Sequence, residues 1–205
     1  MVDDNSESSV FEKTFSFYLD KLDNIDPEFL TESLGVSFDE KGIAIQLLNE
    51  EYIVSKKGVA DSTGKRPSFD LCIILLKYLL TRRTEYPSGS QWTAFRDLRD
   101  SGPLTVYYRD NVERAFSDYF TGNTSGLKSA CINTGGIIPE EIFTNDVSMK
   151  FNFLPRIPML LLFNDKDEDF SASCSVLFEQ RSENYLDAEC IAMAGSVLFS
   201  NIRGI

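Results

Sequence analysis

Residues 151–178 read FNFLPRIPMLLLFNDKDEDFSASCSVLF, and this stretch decides the predicted fold. It contains two apolar runs, Ile157–Phe163 and Ala172–Phe178, joined by the acidic segment Asn164–Asp169. An apolar run this short, flanked by a proline and a polar cluster, is typical of a buried strand rather than of an independent helix. We therefore predict a C-terminal hairpin in which the second run returns antiparallel to the first.

The entrance to the first run carries a candidate binding residue. Arg156 lies between Pro155 and Pro158. Because proline fixes the backbone φ angle, the two prolines restrict the chain on either side of the arginine. A cation held in this way at the end of a core strand could face a pocket, and we predict Arg156 as a ligand-binding residue.

The rest of the chain contains both the alternating hydrophobic pattern typical of strands and the hydrophobic spacing typical of helices. Alternating segments with the letters VSFD, GIAIQLL and EYIVS are separated by tight polar turns, which predicts an N-terminal β-meander, and VSMKFNFL alternates in the same way before the hairpin. Residues 58–67 are predicted to form a polar loop. Helical spacing of apolar side chains predicts helices at 10–22, 27–35, 69–80, 106–120, 127–134 and 184–199. The predicted fold class is α+β, with a mostly antiparallel sheet (N-terminal meander plus C-terminal hairpin) packed with several helices.

Domain organisation is predicted from length and from the chain start. With 205 residues the chain is long enough to bury a sizeable core. We expect a disordered tail at residues 1–8 and a single α+β domain at residues 9–205. The opening MVDDNSESS lacks the basic and apolar regions of a signal peptide, and no apolar run approaches the roughly 18 to 20 residues of a membrane span. The expectation is a soluble, cytoplasmic protein without a membrane partner.

The charge balance bears on partners. The formal net charge is −12, which weighs against nucleic acid and anionic membranes because both recruit lysine and arginine. The short basic groups Lys56-Lys57, Lys65-Arg66 and Arg82-Arg83 are predicted as solvated loops. The partner prediction is a small-molecule ligand and no nucleic acid, with the oligomeric state left open.

The chain contains no histidine. This excludes histidine as a general acid or base, Ser–His and Cys–His nucleophile pairs, and His-ligated metal sites. No two of the four cysteines have CxxC spacing, so we predict free buried thiols in a reducing cytoplasm and assign no metal ligand. Convergence of distant cysteines on a metal remains the alternative. The cysteines are Cys72, Cys131, Cys174 and Cys190.

The only tryptophan of the chain, Trp92, lies in the segment QWTAFRDLRDSG. The spacing of Trp92, Phe95 and Leu98 fits either one helical turn or core packing. Charges that alternate in sign from Arg96 to Asp100 are typical of a solvated, self-paired surface turn. The functional alternative makes Trp92 the stacking wall and Arg96 the cation of an anion or cofactor pocket.

The acidic run DKDED, residues 165–169, begins like a calcium-binding loop. Phe170 occupies the place of the required glycine and Val176 that of the final glutamate, so no calcium site is predicted. Acidic residues at a hairpin tip are usually solvated, where they prevent association between sheet edges.

Two functional hypotheses nevertheless use this tip. Asp169 is a candidate acceptor in the small-molecule pocket. Asp167, Glu168 and Asp169 are candidates for acid–base catalysis in a histidine-free enzyme, which would require a buried carboxylate with a raised pKa.

Several segments together resemble a known family. The segments are LPRIP with the apolar run after it, DEDFSA, SVLFEQ and NYLDAE, and upstream FDLCIILLKYLL, WTAFRDL…SGP and YYRDNVERAFSDYF. They resemble the domain-of-unknown-function family 3786, over most of the chain from about residue 10. The resemblance implies an origin in anaerobic bacteria or archaea, and it supplies no catalytic residues because no reaction is assigned to the family. Some relatives are labelled iron–sulfur proteins through a cysteine-rich segment that this chain lacks.

Three function classes follow from the sequence. The favoured one is a small-molecule or cofactor-binding domain with a pocket near Arg156, lined also by Trp92, Arg96 and Asp169. The alternatives are a histidine-free, carboxylate-dependent enzyme and an iron–sulfur or other metal-associated protein. Neither the ligand nor a catalytic residue is indicated by any motif.

Overall fold

The computed structural model describes residues 4–22, 27–81 and 91–204. The chain divides into an N-terminal unit, residues 1–46 and 50–86, and a C-terminal unit, residues 47–49 and 87–205. Each unit combines helices with an antiparallel sheet, which confirms the predicted α+β class. The assignment of residues 9–205 to a single domain stays a prediction.

The N-terminal unit contains the predicted meander, with its strands in the order β1-β2-β3-β4. One prediction was wrong, because residues 58–60 of the expected loop form strand β4 and pair with β3. Gly58 takes a φ of +119°, which permits a tight turn after Lys57, and Val59 then enters the core. The elements are α1 (Asp4–Leu22), α2 (Pro27–Leu34), β1 (Ser37–Asp39), β2 (Gly42–Leu47), β3 (Glu50–Ser55), β4 (Gly58–Ala60) and α3 (Phe69–Leu79).

Helix α3, which was predicted at residues 69–80, is a buried helix of this unit. It is apolar on nearly all sides, and its Tyr78 hydroxyl donates to the carbonyl oxygen of Leu34 over 2.7 Å. Helix α1 includes residues 4–8 of the expected disordered tail, whereas residues 1–3 lie outside the described part. The predicted helix at 27–35 corresponds to α2.

The C-terminal unit holds a second sheet with the strand order β5-β8-β7-β6. The predicted hairpin is confirmed as β7 and β8, which pair antiparallel, and β6 pairs with β7 on the other side. The strands are β5 (Trp92–Ala94), β6 (Val147–Leu154), β7 (Ile157–Asn164) and β8 (Ser173–Glu179), and the helices are α4 (Thr105–Tyr108), α5 (Arg114–Phe120), α6 (Thr124–Asn133) and α7 (Ala188–Arg203).

One face of this sheet is fully buried. Met159 lies opposite Phe151 on one side and Phe178 on the other, and all three are inaccessible to solvent. Because side chains alternate along a strand, the intervening residues form the opposite face. That opposite face carries Trp92, which belongs to edge strand β5 and not to a helical turn.

Three helices of this unit differ from their predicted form, and the first is α6, which begins at Thr124 and not at Leu127. The predicted helix at 106–120 contains a π-helical turn at Arg109–Glu113 between α4 and α5. Helix α7 begins at Ala188 and not near residue 184, because the Asp187 carboxylate caps it by accepting from the amide of Cys190 over 2.9 Å. A short 3₁₀ turn, Gln180–Asn184, precedes it.

Candidate functional site

Arg156 lies in the two-residue turn that joins β6 to β7. Leu154 and Ile157 pair on either side of it, and the Arg156 side chain is half-buried. The predicted position at the end of a core strand is therefore confirmed, and the role of Arg156 in binding stays a prediction.

The acidic tip is solvated. Asp167, Glu168 and Asp169 are all exposed in the loop between β7 and β8. The Asp167 carboxylate accepts hydrogen bonds from the amides of Asp169 and Phe170, over 2.8 and 2.7 Å, which closes the turn locally. This placement does not supply the burial that the acid–base hypothesis requires of these carboxylates.

Trp92 and Arg96 have different surroundings. The Arg96 side chain is 73% exposed and lies 3.8 Å from the Asp97 carboxylate. The cation above the Trp92 ring is Lys150, whose Nζ lies 5.8 Å from the ring centroid. Lys150 belongs to β6, and the order β5-β8-β7-β6 brings it over the same sheet face as Trp92. No local sequence pattern pairs these two residues.

A buried ion pair lies beside Trp92. Glu179 is directly opposite Trp92 across β5 and β8, so both side chains lie on one face. Glu179 is only 4% exposed, and its carboxylate pairs with the Nε of Arg181. The indole nitrogen of Trp92 and the hydroxyl of Ser182 are buried, and neither finds a hydrogen-bond partner within the described ranges.

The π-helical turn positions a carboxylate against the edge of β8. Strand β5 ends at Ala94, opposite Leu177, and Val176 is the next residue of β8. The Val176 amide donates to Glu113 Oε1 over 3.4 Å, and its carbonyl oxygen accepts from the Tyr108 hydroxyl over 3.1 Å. Two side chains thus replace the missing strand partner.

Burial shifts the pKa values of three neighbouring groups, which we call the Glu113 cluster: Glu113, Tyr108 and Cys174. It raises the pKa of the Glu113 carboxyl above its ordinary value, while the Val176 amide and the Arg96 guanidinium act in the opposite direction. Burial also holds the pKa values of the Tyr108 hydroxyl and the Cys174 thiol well above their ordinary values. Glu113 is therefore a half-buried carboxylate with a raised pKa, which is the property that the acid–base hypothesis sought at the acidic tip. The sequence predicted the helix at 106–120 that contains Glu113, but no pattern in it predicted the π turn that places this carboxylate.

A cavity of about 710 Å³ lies within the N-terminal unit. Helix α1 contributes Leu19 and Leu22, and the sheet contributes Phe38, Ile43 and Val54, so the floor is apolar. A volume between about 300 and 1,000 Å³ with a mostly apolar lining is typical of small-molecule sites.

Lysines from two hairpin turns surround the mouth of this cavity. Lys41 lies in the β1–β2 turn, where its amide donates to Asp39 Oδ1 over 2.7 Å. Lys56 and Lys57 form the β3–β4 turn, closed by a 3.2 Å hydrogen bond from the Lys57 amide to the Ser55 hydroxyl. The sequence predicted Lys56 and Lys57 as solvated, and their exposure confirms this. Their position at a cavity could not be inferred without the fold.

The comparisons with known proteins identify the family. The family described as a domain of unknown function (DUF3786) matches residues 26–201. The chain belongs to the DUF3786 family. The matched segment of this DUF3786 protein contains the lysines of the cavity mouth and the Glu113 cluster, whereas Leu19 and Leu22 precede it. No curated protein and no solved structure matches the chain.

Three further findings concern the described part of this DUF3786 protein. Its four cysteines are free and buried, and within residues 4–22, 27–81 and 91–204 no three cysteine or carboxylate side chains are grouped so that they could hold a metal ion. In the same ranges no helix has both the length and the apolarity needed to cross a membrane.

Proposed function

We propose that this protein binds a small amphipathic anion, and that the ligand occupies the cavity of the N-terminal unit. The observation that carries the proposal is an apolar cavity surrounded by three lysines in a chain whose net charge is −12. The apolar floor suits a hydrocarbon or aromatic body, and Lys41, Lys56 and Lys57 suit a carboxylate, sulfonate or phosphate group at the mouth.

The acidic residues at the mouth do not cancel this preference. Asp39 and Glu40 lie beside the lysines, so the mouth carries one more positive than negative charge. The Asp39 carboxylate is also engaged by the amides of Lys41 and Gly42, over 2.7 and 3.3 Å. Gly42 itself is required for this geometry, because a Cβ atom there would collide with the carbonyl oxygen of Val54.

This site replaces the predicted pocket near Arg156 as the place where binding is proposed. We further propose a cytoplasmic location, which the four free thiols support because cytoplasmic proteins retain reduced cysteines.

The binding experiment uses 11-(dansylamino)undecanoic acid and its methyl ester as matched anionic and neutral probes. We expect saturable binding of the acid, seen as enhanced dansyl fluorescence, and weaker binding of the ester. The triple variant Lys41→Gln, Lys56→Gln, Lys57→Gln should weaken binding of the acid by about tenfold, because each exposed ion pair contributes about 0.5 kcal/mol. Binding of the ester should not change.

The matched control replaces exposed lysines outside the cavity, with Lys13→Gln, Lys65→Gln and Lys166→Gln. It has the same net charge as the cavity variant and should bind the acid as the wild type does. Phe38→Ser should weaken both probes, whereas Phe170→Ser should weaken neither, since Phe38 lines the cavity and Phe170 does not. Equal losses in the two lysine variants, or no binding by the wild type, would refute the proposal.

A further inference from the structure

The C-terminal unit displays an apolar surface where helix α6 leads into strand β6. We call its three members the isoleucine surface, and their exposed fractions range from 59% to 97%. Single exposed apolar side chains are common, whereas a contiguous group marks an interaction site. All three line one shallow cavity of about 400 Å³. The members are Ile132, Ile138 and Ile142.

The segment 137–146, which carries Ile138 and Ile142, is anchored at both ends. Ile137 exchanges two backbone hydrogen bonds with Lys150, over 2.9 and 2.8 Å. At the other end, the Asp146 carboxylate accepts from the amide of Asp165 over 2.7 Å, and the Asn145 amide group donates to Asn164 Oδ1 over 3.1 Å. Ile138 and Ile142 therefore lie in a loop whose ends are anchored, and Ile132 lies on helix α6, which lowers the entropy cost of binding.

The rim of the isoleucine surface is acidic. Glu140, Glu141 and Asp146 border the cavity, and Lys128 is the cation beside them. An acidic rim around an apolar centre is complementary to a segment that combines apolar side chains with lysine or arginine. It opposes a second copy of this chain, whose net charge is −12, and it opposes an anionic membrane.

We propose that the isoleucine surface docks a short cationic, apolar segment of a partner protein. An amphipathic helix is the form in which such a segment places its apolar residues in a groove and its cations at the rim. The proposal does not depend on the small-molecule site, because all the residues that carry it belong to the C-terminal unit.

The first experiment measures the Kd of a fluorescein-labelled lysine–leucine amphipathic peptide by anisotropy, with a glutamate–leucine peptide as the charge-reversed probe. The wild type should bind only the cationic peptide. The double variant Ile138→Ser, Ile142→Ser should weaken binding at least about tenfold, because it removes two exposed anchors. Its melting temperature should match that of the wild type, because both residues are at least 80% exposed. The control Val106→Ser, Phe170→Ser removes exposed apolar side chains elsewhere and should bind normally.

The second experiment separates docking from general attraction to an acidic protein. Glu140→Lys with Glu141→Lys changes the rim, and Asp97→Lys with Asp100→Lys makes the same change of net charge at exposed positions that follow β5, at the opposite edge of the sheet from β6. We expect the rim variant to weaken binding at least about fivefold more than the control variant, since charges act mainly within a Debye length of about 8 Å.

Three binding results would each overturn the proposal. They are failure of the wild type to bind the cationic peptide, equal losses in the two charge-reversal variants, and unchanged binding after the isoleucine substitutions. Sedimentation velocity at several concentrations provides the remaining check. A wild-type dimer that the isoleucine variant abolishes would identify a second copy as the occupant and would equally overturn it.

Discussion

The Glu113 carboxylate accepts a hydrogen bond from the Val176 amide, with Oε1 and N 3.4 Å apart, where β8 extends beyond the end of β5. A strand edge that is buried and unpaired leaves polar backbone groups without partners. Here Glu113 and Tyr108 supply those partners, so the π turn at Arg109–Glu113 completes the sheet. This arrangement places the Glu113 carboxylate in a partly dehydrated position, and the dehydration raises its pKa.

Substitution of Glu113 should separate its hydrogen bond from its charge. Glu113→Ala leaves the buried Val176 amide without an acceptor and should lower the free energy of unfolding by about 1–3 kcal/mol. Glu113→Gln retains an acceptor and removes the charge, so it should be much less destabilising. Urea denaturation of both variants measures the difference, and equal losses would show that the Gln side chain does not restore the contact.

The raised pKa of Glu113 predicts the direction in which the free energy of unfolding changes with pH. The native-state pKa of Glu113 lies above the ordinary value of 4.5, so the native state binds more protons between these two values. The free energy of unfolding therefore falls as the pH rises through this interval. Relative to wild type, Glu113→Gln should be more stable at pH 8 than at pH 4, as measured by urea denaturation at both pH values. A difference that is constant with pH would contradict the raised pKa.

Tyr108→Phe tests the second side chain at this edge. The substitution removes the hydroxyl that donates to the Val176 carbonyl and keeps the ring, whose centroid lies 4.3 Å from that of Phe95. It should lower the free energy of unfolding by about 1–2 kcal/mol, because the carbonyl is left buried without its donor. Tyr107→Phe is the matched control, since Tyr107 is 46% exposed and its change should be close to zero.

Gly195→Ala should destabilise the protein although alanine is the better helix former. A Cβ atom at Gly195 would lie 2.5 Å from Cε2 of Tyr108, and that ring is held by its stacking on Phe95. Overpacking of this kind costs about 1–3 kcal/mol. Gly102→Ala, where a Cβ atom meets nothing within 4 Å, should be tolerated. Thermal unfolding of the two variants provides the comparison, and equal melting temperatures would contradict the predicted collision.

The buried thiols should resist alkylation in the native protein. Burial raises the pKa of Cys131 to about 12 and holds that of Cys174 well above its ordinary value. At pH 8 the thiolate fraction of Cys131 is thus on the order of a thousandfold below that of an exposed cysteine. Iodoacetamide labelling followed by peptide mass spectrometry should modify both sites only after denaturation. Rapid native labelling of either would show that its surroundings open.

Much of the secondary structure could be predicted because the information is local. The apolar run of α3, the alternation through β1–β3 and the hairpin β7–β8 each follow from residues adjacent in the sequence. The elements that escaped prediction are short and depend on a partner strand. Residues 92–94 form a strand only because β8 offers an edge, and residues 58–60 only because β3 does.

The sequence by itself determined the α+β class, the positions of most helices and strands, the absence of histidine chemistry and the acidic net charge. Only the tertiary structure decided which side chains meet. Lys150 reaches Trp92 across two intervening strands, and Glu113 meets Val176 through a π turn. The physical reason is that hydrophobic periodicity is encoded within single segments, whereas strand order and the direction of a buried side chain follow from how separate segments pack.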